Sequence, residues 1–569
     1  MKSSVLCVLI FCSFISKAQN QLLIPPVLSG LSFNLNVQQG TQVFYGNTAT
    51  PTYGINGDWM APTIIVNKGD SVTLNVINNL PVRTTMHWHG LHVAAMNDGG
   101  PHQIIDPGET WSPGFKIRNN ASTFWYHPHG LNQTEQQVSK GLAGLLIVKD
   151  DAEASLNLPR TYGTDDIPLI IQSKAFDDLT QIAIATDMDT SLFVNGTLNP
   201  VLDAPAQVVR FRLLNAGSLR SYYLGFTNNQ TFYQIATDGG LLDSSRAISR
   251  LLLSPGERAE ILIDFAGMLG QDIEMKSFAS ELPAGIYGAE TVGLGEDTIP
   301  EYQFNYLNGS DFNLLDININ SVTSVPVTVI PASLVPFVPF EISAATNYRT
   351  IVMDTFRLLS FDSPNLAEGP FGLNNATFNM DIINEVVHLN TTEIWTLKNN
   401  TLIAHPFHIH DIQFNVIEEG GLPVPANEKG FKDVVLVMPG DSVKFITRFD
   451  TFADNVTPYM YHCHLLHHED DGMMGSFVVV DTTTGIADVN NSAATKVFPN
   501  PASSTVYVEF PDFRDADIVL FNVLGEIIVS KRVNDSQNLN IDLAAFNSGI
   551  YFLQIKSNTS YSTHKIVKQ

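Results

Sequence analysis

Residues 461–474 read YHCHLLHHEDDGMM and place a single cysteine, Cys463, between two histidines. Because successive side chains of an extended strand point to opposite faces, His462 and His464 would face one way and Cys463 the other. One strand in this position can therefore serve two metal sites, one on each of its faces.

The Cys463 side of this stretch carries most of a known set of metal ligands. His468 follows the cysteine by five residues, and Met473 follows that histidine by five more. A thiolate, two imidazoles and a weak thioether form a blue-copper electron-transfer site. The stretch thus supplies three of the four ligands, and the fourth must come from elsewhere.

The opposite side of the strand belongs to a set of four His-X-His pairs. The pairs lie in the sequences HWHG (87–90), HPHG (127–130), HPFHIH (405–410) and HCH (462–464). Each pair would direct both imidazoles to one face, so four such strands meeting across a domain interface offer eight nitrogens to one cavity. A four-coordinate zinc site cannot use eight nitrogen ligands, whereas a cluster of three copper ions can. The eight residues are His87, His89, His127, His129, His408, His410, His462 and His464.

A ninth histidine, His405, precedes His408 by three residues and would point away from the face that His408 and His410 share. It would then lie on the same side as Cys463, and we predict that it is the missing fourth ligand. The remaining histidines have ordinary explanations as surface or structural residues, or, for His467, as a neighbour that binds no metal. They are His92, His102, His388, His467 and His564.

The chain repeats one pattern three times: an apolar-alternating strand, a turn containing Pro-Gly and an acidic residue, and another strand. The turns lie at 106–109, 254–257 and 438–441, and the middle copy has no histidine, which favours a scaffold or a substrate wall. Three copies at domain length, followed by further short strands, predict an all-β chain of three related β-sandwiches and a small C-terminal β-sandwich. The predicted limits are a signal peptide at 1–18, domains at 19–155, 156–300 and 346–485, a proline-rich linker at 301–345, and the C-terminal sandwich at 492–569.

Composition restricts the class of protein further. Lys2, the apolar run 5–15 and the small-residue site 16–18 predict a secretory signal peptide. Its removal leaves Cys463 as the only cysteine, which excludes an intramolecular disulfide and favours a metal ligand. Loss of Lys2 and Lys17 also leaves 29 basic against 57 acidic residues, a formal charge of −28. This charge argues against nucleic acid or an anionic membrane as partner, and no later apolar run is long enough for a membrane span.

In their order and spacing, these motifs resemble those of the three-domain multicopper oxidases, especially the bacterial laccase, cuprous oxidase and bilirubin oxidase branch. The resemblance covers roughly residues 30–482 and implies cupredoxin-like sandwiches. The C-terminal segment, with Pro-Asn-Pro at 499–501 and Gly-Ile-Tyr at 549–551, resembles the sorting domain of the type IX secretion system. That resemblance implies passage through the periplasm to the outside or to the cell surface.

The resemblance also assigns roles to the residues of four copper sites. His405, Cys463 and His468 would hold the type 1 copper with Met473 as axial ligand, and the donor electron would enter at a partly exposed edge of His468. His87 and His408 would hold the type 2 copper. The type 3 pair would take His89, His127, His129, His410, His462 and His464.

Acidic residues beside such a cluster would supply the protons that oxygen reduction consumes. The resemblance gives this role to Asp98 and to Glu469. We further predict that Asp433, in the sequence FKDVV, supports the type 1 pocket from outside the ligand set.

The expected function is a copper-dependent, laccase-like oxidase, monomeric, that couples four one-electron oxidations of phenolic or aromatic amine donors to reduction of dioxygen to water. A metallo-oxidase of Cu(I), Fe(II) or Mn(II) for copper tolerance and a non-catalytic copper-binding protein are the alternatives. Copper nitrite reductases share such domains but lack the paired type 3 histidines. The cuprous oxidases that the chain resembles carry a methionine-rich insertion before the HPFHIH motif, where thioethers collect Cu(I). Here only Met353 and Met380 occur between residues 349 and 404, so the resemblance favours phenolic donors over Cu(I).

Overall fold

Alternating apolar and polar residues form the strands of this protein, as the strand Ser71–Asn78 (SVTLNVIN) shows. Its Val72, Leu74 and Val76 are buried in a sandwich core, whereas the residues between them are partly exposed. The structure is a computed structural model that describes residues 20–293, 305–355, 371–481, 496–509, 515–522, 527–534, 538–557 and 561–569. The predicted signal peptide and residues 294–304, where the second domain was expected to end, lie outside these ranges. The predicted all-β class is confirmed.

The first sandwich packs two sheets around one core. One sheet contains, in order, Val27–Ser29, Thr63–Asn67, Gly144–Lys149 and Ser122–Tyr126; the other contains Thr50–Ile55, Ser32–Gln42, Ser71–Asn78 and Thr110–Trp111, with Gly114–Lys116 also paired to Ser71–Asn78. The two histidine motifs of this sandwich are joined by backbone hydrogen bonds, because His87 and His127 exchange N–H to carbonyl bonds of 2.8 and 3.1 Å.

The second sandwich has larger sheets. One contains, in order, Asn20–Gln21, Pro200–Pro205, Phe312–Asn320, Asp272–Ser277, Tyr222–Phe226 and Leu251–Leu253; the other contains Thr197–Leu198, Ser191–Val194, Asp166–Phe176, Val208–Asn215, Arg258–Asp264, Phe232–Thr237 and Gly240–Ile248, with Ile182–Ala183 on Asp166–Phe176.

Two strands of this sandwich come from segments that were expected outside the second domain. The strand Phe312–Asn320 pairs with Pro200–Pro205 and Asp272–Ser277, although the linker was expected from residue 301. Asn20–Gln21 pairs with Pro200 and Val201 instead of joining the first sandwich. Both segments pair with backbone N–H and C=O groups of the sheet that would otherwise lack a neighbouring strand. The alternation of apolar residues within a segment does not reveal which sheet the segment joins.

The third sandwich holds the YHCHLLHHEDDGMM motif of residues 461–474. Its sheets contain Phe371–Leu373, Asn347–Thr355, Thr391–Asn399, Ser442–Phe449 and Phe414–Glu419 in one, and Glu385–His388, Met474–Val480, Asp454–Cys463, His405–Ile409 and Val434–Val437 in the other. Antiparallel pairing places Phe407 opposite Cys463 and His408 opposite His462. Each histidine-bearing domain therefore joins its two histidine motifs side by side.

Helices in the described residues are short. They are the α-helices Thr134–Ser139, Asp151–Ala154 and Leu466–Asp470 and the 3-10 turns Ala95–Asn97, Ala279–Glu281, Ile342–Ala344 and Ala426–Glu428. Across the part of the chain that the structure describes, we find no helix with the length and apolarity needed to traverse a bilayer.

The described residues after Asp481 form a separate compact unit. Its sheets contain Lys496–Phe498, Thr505–Glu509 and Asn538–Asp542, and Ile527–Asn534, Asp515–Asn522, Gly549–Ser557 and Tyr561–Lys568. Val506, Ile518 and Leu553 contribute to a hydrophobic core that belongs to this unit alone.

Candidate metal centres

The Cys463 site lies inside the third sandwich, where the end of one strand meets the start of another. The Cys463 sulfur is 3.4 Å from His405 Nδ1 and 3.9 Å from His468 Nδ1. The helix Leu466–Asp470, which the sequence analysis did not anticipate, turns His468 back toward the strand end. Three of the predicted ligands are thus together and fully buried.

The protonation of these groups fits a bound cation. Burial lowers the pKa of His405 to about 3, so its imidazole is neutral and can ligate. His405 Nε2 lies 2.8 Å from Thr401 Oγ1, and its N–H donated there leaves Nδ1 free to face the sulfur. Burial raises the pKa of the Cys463 thiol, and a cation at this point would offset that shift by stabilising the thiolate.

Met473 lies beside the cysteine, as expected for an axial ligand. The Cys463 N–H donates to the Met473 carbonyl at 3.0 Å, and the Met473 N–H donates to the His468 carbonyl at 2.8 Å. The Met473 side chain is fully buried in the same core cluster as Cys463. The loop after the helix thereby returns Met473 to a position beside the Cys463 backbone.

The expected exposed edge of His468 is not observed. The side chain is 1% exposed, because two aromatic rings pack over it. The Phe371 ring centroid lies 4.6 Å from that of His468, and the Tyr287 centroid lies 6.1 Å away. Sequence alone could not reveal this cover, since Phe371 and Tyr287 lie about 100 and 180 residues from the histidine.

The eight paired histidines meet in one buried cluster between the first and third sandwiches. His89 Nδ1 lies 3.4 Å from His127 Nε2 and 3.3 Å from His464 Nε2, which defines one triplet. A second triplet forms where His129 Nε2 lies 3.1 Å from both His410 Nε2 and His462 Nε2. His87, His408 and His410 converge as a further group.

This cluster passes a physical test for bound metal. The Nε2 atoms of His87 and His408 are buried without a hydrogen-bond partner, a costly arrangement unless a cation binds there. Burial, the largest contribution, lowers the pKa of histidines in both triplets, including His89 and His129, so their lone pairs are available. Neutral imidazole suits copper as a ligand.

Asp98 and Glu469 connect histidines of different domains. Asp98 Oδ2 lies 2.6 Å from His410 Nδ1, and Asp98 Oδ1 lies 3.4 Å from His87 Nδ1. Glu469 lies 3.2 Å from the Nδ1 atoms of both His129 and His462. Both predicted acids therefore contact the cluster.

The two carboxyl groups are set up as hydrogen-bond acceptors. Burial raises the pKa of Asp98, but His410 and His87 outweigh it and hold the pKa well below its usual range. His129 and His462 do the same for the pKa of Glu469. The Asp98 carboxylate accepts from His410 Nδ1–H, while His87 and His462 donate their Nδ1–H groups to the backbone carbonyls of Asp98 and Cys463 at 2.9 and 3.0 Å. These contacts direct the Nε2 atoms of the three histidines into the cluster.

The prediction that Asp433 supports the Cys463 site is wrong. Its Oδ1 atom lies 3.1 Å from His89 Nε2, and its backbone carbonyl accepts from His408 Nδ1 at 2.8 Å. Asp433 therefore belongs to the interdomain cluster. Its carboxylate is paired with Arg258 of the second sandwich, a residue that the sequence analysis did not single out. The only sequence signal was a charged residue at the start of an apolar strand, Arg258–Asp264.

The histidines expected to be structural lie outside both sites. His92 joins two sandwiches through Asp411 Oδ1 at 2.8 Å and Thr451 Oγ1 at 2.5 Å. His467 Nδ1 pairs with Glu135 at 3.2 Å. His102 Nε2 lies 3.3 Å from the Met380 carbonyl oxygen.

Fold and site together define a class: an all-β protein with a buried Cys-His-His site and an eight-histidine cluster at a domain interface. Models of the multicopper oxidase family match residues 36–153 and 350–483, and a secretion system C-terminal sorting domain matches residues 496–569. The chain belongs to the multicopper oxidase family and carries a sorting domain at its C-terminal end.

Named relatives agree with this assignment. Multicopper oxidase mco of Staphylococcus haemolyticus is 32% identical over 82% of this chain and 94% of its own length. The cell division protein FtsP of Photorhabdus laumondii is also 32% identical, over 81% of this chain and 93% of its own length. A solved laccase-like multi-copper oxidase, CueO from Ochrobactrum sp., described as active towards lignin model compounds, shares 31% identity and a TM-score of 0.70 over 81% of this chain and all of that one. One of these relatives is named as a cell division protein, so family membership alone does not establish oxidase activity.

Proposed function

We propose that this protein is a laccase-like oxidase with four coppers. One would lie at His405, Cys463, His468 and Met473, one at His87 and His408, and two in the triplets of His89, His127 and His464 and of His129, His410 and His462. Copper bound at these positions supplies the one-electron redox chemistry that couples four donor oxidations to the reduction of dioxygen to two waters. The observation that carries the proposal is the placement of Cys463 between His462 and His464.

The covalent chain provides the connection between the sites. Cys463 faces the core of the third sandwich, and its two neighbours face the interdomain cluster, one in each triplet. An electron that reaches the cysteine can pass along the strand to either triplet without crossing a gap. A protein that only stored copper would not need two kinds of site joined in this manner.

Asp98 and Glu469 place two ionisable carboxyl groups beside the interdomain cluster. Each carboxylate lies within 3.4 Å of two histidine Nδ1 atoms, with a hydrogen bond from His410 Nδ1–H to Asp98 Oδ2, and lies against the cluster where dioxygen reduction would consume protons. We propose that they pass protons inward as well as orienting the histidines. Glu469 is the neighbour of His468, so one segment, Leu466–Asp470, serves both sites.

The donors proposed are small phenols and aromatic amines, with transfer through the aromatic cover of His468. The described activity of the Ochrobactrum enzyme towards lignin model compounds supports an organic donor. Residues 356–370, in the segment where a methionine-rich insertion would lie, are outside the described residues, but the sequence places no methionine among them.

The test compares kcat/KM for a dimethoxyphenol and for a stabilised Cu(I) complex, with oxygen consumption as the common measurement. We expect phenol turnover without added copper. A Cu(I) preference above tenfold, about 1.4 kcal/mol of barrier, would replace this proposal with a metallo-oxidase. Copper loading without oxygen uptake for any donor would leave the non-catalytic copper-binding alternative.

We also propose that the mature protein is a monomer, released or held at the cell surface after export through the periplasm by a type IX machinery. Support comes from the matched sorting domain and from its separate core. Protein truncated after Asp481, made in the cytoplasm and loaded with copper, should keep its copper content and activity, while the same truncation in a type IX-competent host should abolish export.

A further inference from the structure

The Arg258 guanidinium has a complete set of hydrogen-bond acceptors drawn from all three sandwiches. Its Nη1 and Nη2 atoms each donate to one oxygen of Asp433 at 2.5 Å. Nη1 also donates to the Gly256 carbonyl at 3.0 Å, and Nη2 to the Asp238 carbonyl at 3.2 Å. Nε donates to the Thr123 carbonyl at 3.2 Å. All five N–H groups of the guanidinium are used, and both residues of the ion pair are fully buried.

Asp433, whose carboxylate is fixed by Arg258, also contacts a histidine of the cluster. Both carboxylate oxygens accept from Arg258, and Oδ1 is also 3.1 Å from His89 Nε2. The His89 imidazole must therefore donate its Nε2–H to the carboxylate, which leaves the lone pair on Nδ1. That Nδ1 atom is the one that lies near His127 and His464.

Two glycines provide the space for these contacts. At Gly90, with φ +83°, an added Cβ would lie 2.5 Å from Asp433 Oδ2 and 2.7 Å from Arg258 Nη2. At Gly256, with φ +85°, an added Cβ would lie 2.8 Å from the His464 ring. Gly90 is the glycine of the HWHG motif, and Gly256 belongs to the second sandwich.

We infer that Arg258 is a positioning residue for the triplet His89, His127 and His464, acting through Asp433. The second sandwich, which has no histidine of its own, thereby takes part in the interdomain copper centre. Gly256 adds a direct contact with a second member of the same triplet. The Asp98 and Glu469 carboxylates contact four other histidines, namely His87, His129, His410 and His462, so this triplet has its own support. The inference rests on the proposed copper centre.

The decisive variant is Arg258→Lys, because an ammonium group cannot reproduce the planar two-pronged contact with Asp433. We expect it to lower copper affinity at the interdomain cluster by about 10- to 100-fold. The near-ultraviolet absorption of the coupled type 3 pair should fall, and EPR signals from uncoupled copper should appear. The blue absorption of the Cys463 site should persist as an internal reference.

Arg210→Lys is the matched control, since Arg210 is equally buried in the second sandwich and pairs with Glu260 and Glu153 but contacts no histidine. It should keep the interdomain copper. If Arg258→Lys does not fold, the double variant Arg258→Met with Asp433→Leu removes both charges together, a change that folds tolerate more readily. It should still lose the interdomain copper, because His89 loses its acceptor.

Copper content after dialysis against a chelator and the two spectra decide the outcome. Wild-type affinity and spectra in the Arg258 variants would overturn the inference, as would an equal loss in Arg210→Lys. A wild-type protein that binds no copper would instead refute the proposed function.

Discussion

Cys463 and His462 are neighbours in one strand but contact different metal-binding groups: the Cys463 sulfur lies 3.4 Å from His405 Nδ1, while His462 Nε2 lies 3.1 Å from His129 Nε2. The alternation of a β-strand produces this separation. One peptide unit thus spans the two sites, and the following predictions test what each side contributes.

Replacing the cysteine should remove the first site. Cys463→Ser should abolish the blue colour, since intense absorption requires a thiolate bound to Cu(II), and should abolish oxidation of every donor. Visible absorption and oxygen uptake are the measurements. His388→Ala, which changes an exposed histidine in the strand Glu385–His388, should keep both. Retained activity in Cys463→Ser would refute the assignment of the type 1 ligands.

The axial position can be tested by a change of similar volume. Met473→Leu should fold normally and stay blue, but the reduction potential of the Cys463 site should rise, because loss of a weak donor destabilises Cu(II) relative to Cu(I). Met474→Leu, in the strand that begins opposite His462, is the neighbouring control. An unchanged or lower potential in a redox titration would remove Met473 from the ligand set.

The two carboxylates should affect only the oxygen half of the reaction. Asp98→Asn and Glu469→Gln each remove the negative charge and replace one carboxylate oxygen by an amide nitrogen, which cannot accept a proton. Reduction of the Cys463 site by donor should proceed at the wild-type rate, and stopped-flow reoxidation by dioxygen should slow by about 10- to 100-fold. Glu135→Gln, which changes a carboxylate paired with His467, serves as control. Wild-type reoxidation would exclude both roles.

Local alternation predicted which histidines share a face, and the structure brings these side chains together even where they lie more than 300 residues apart. Alternation cannot reveal what packs across an interface. Asp433 was therefore assigned to the wrong site, and Arg258, Thr401 and the aromatic cover of His468 were missed. Each of these contacts depends on how separate elements pack together. The local sequences around the residues involved are ordinary for a buried strand or loop, so they give no signal of the contact.

A buried lysine that belongs to neither histidine group allows a test of how stability depends on pH. Lys174 lies in the strand Asp166–Phe176, where its Nζ atom donates to the Ser139 carbonyl at 2.8 Å. Burial lowers the pKa of Lys174 from 10.5 to about 7. Between pH 7 and 10.5 the unfolded chain therefore binds more protons at this residue than the folded chain, and its contribution makes stability rise with pH.

Lys174→Met should accordingly stabilise the protein most below pH 7, where the charged amine is buried, by an amount on the order of a few kcal/mol at most. The gain should shrink as pH rises and vanish near pH 10.5, because the wild-type amine is then neutral in both states. Melting temperatures of variant and wild type at pH 6 and pH 9.5 give the comparison, with Lys116→Met, at an exposed position of the strand Gly114–Lys116, as control. A difference that is constant with pH, or that grows with it, would show that Lys174 keeps its charge in the folded protein throughout this range.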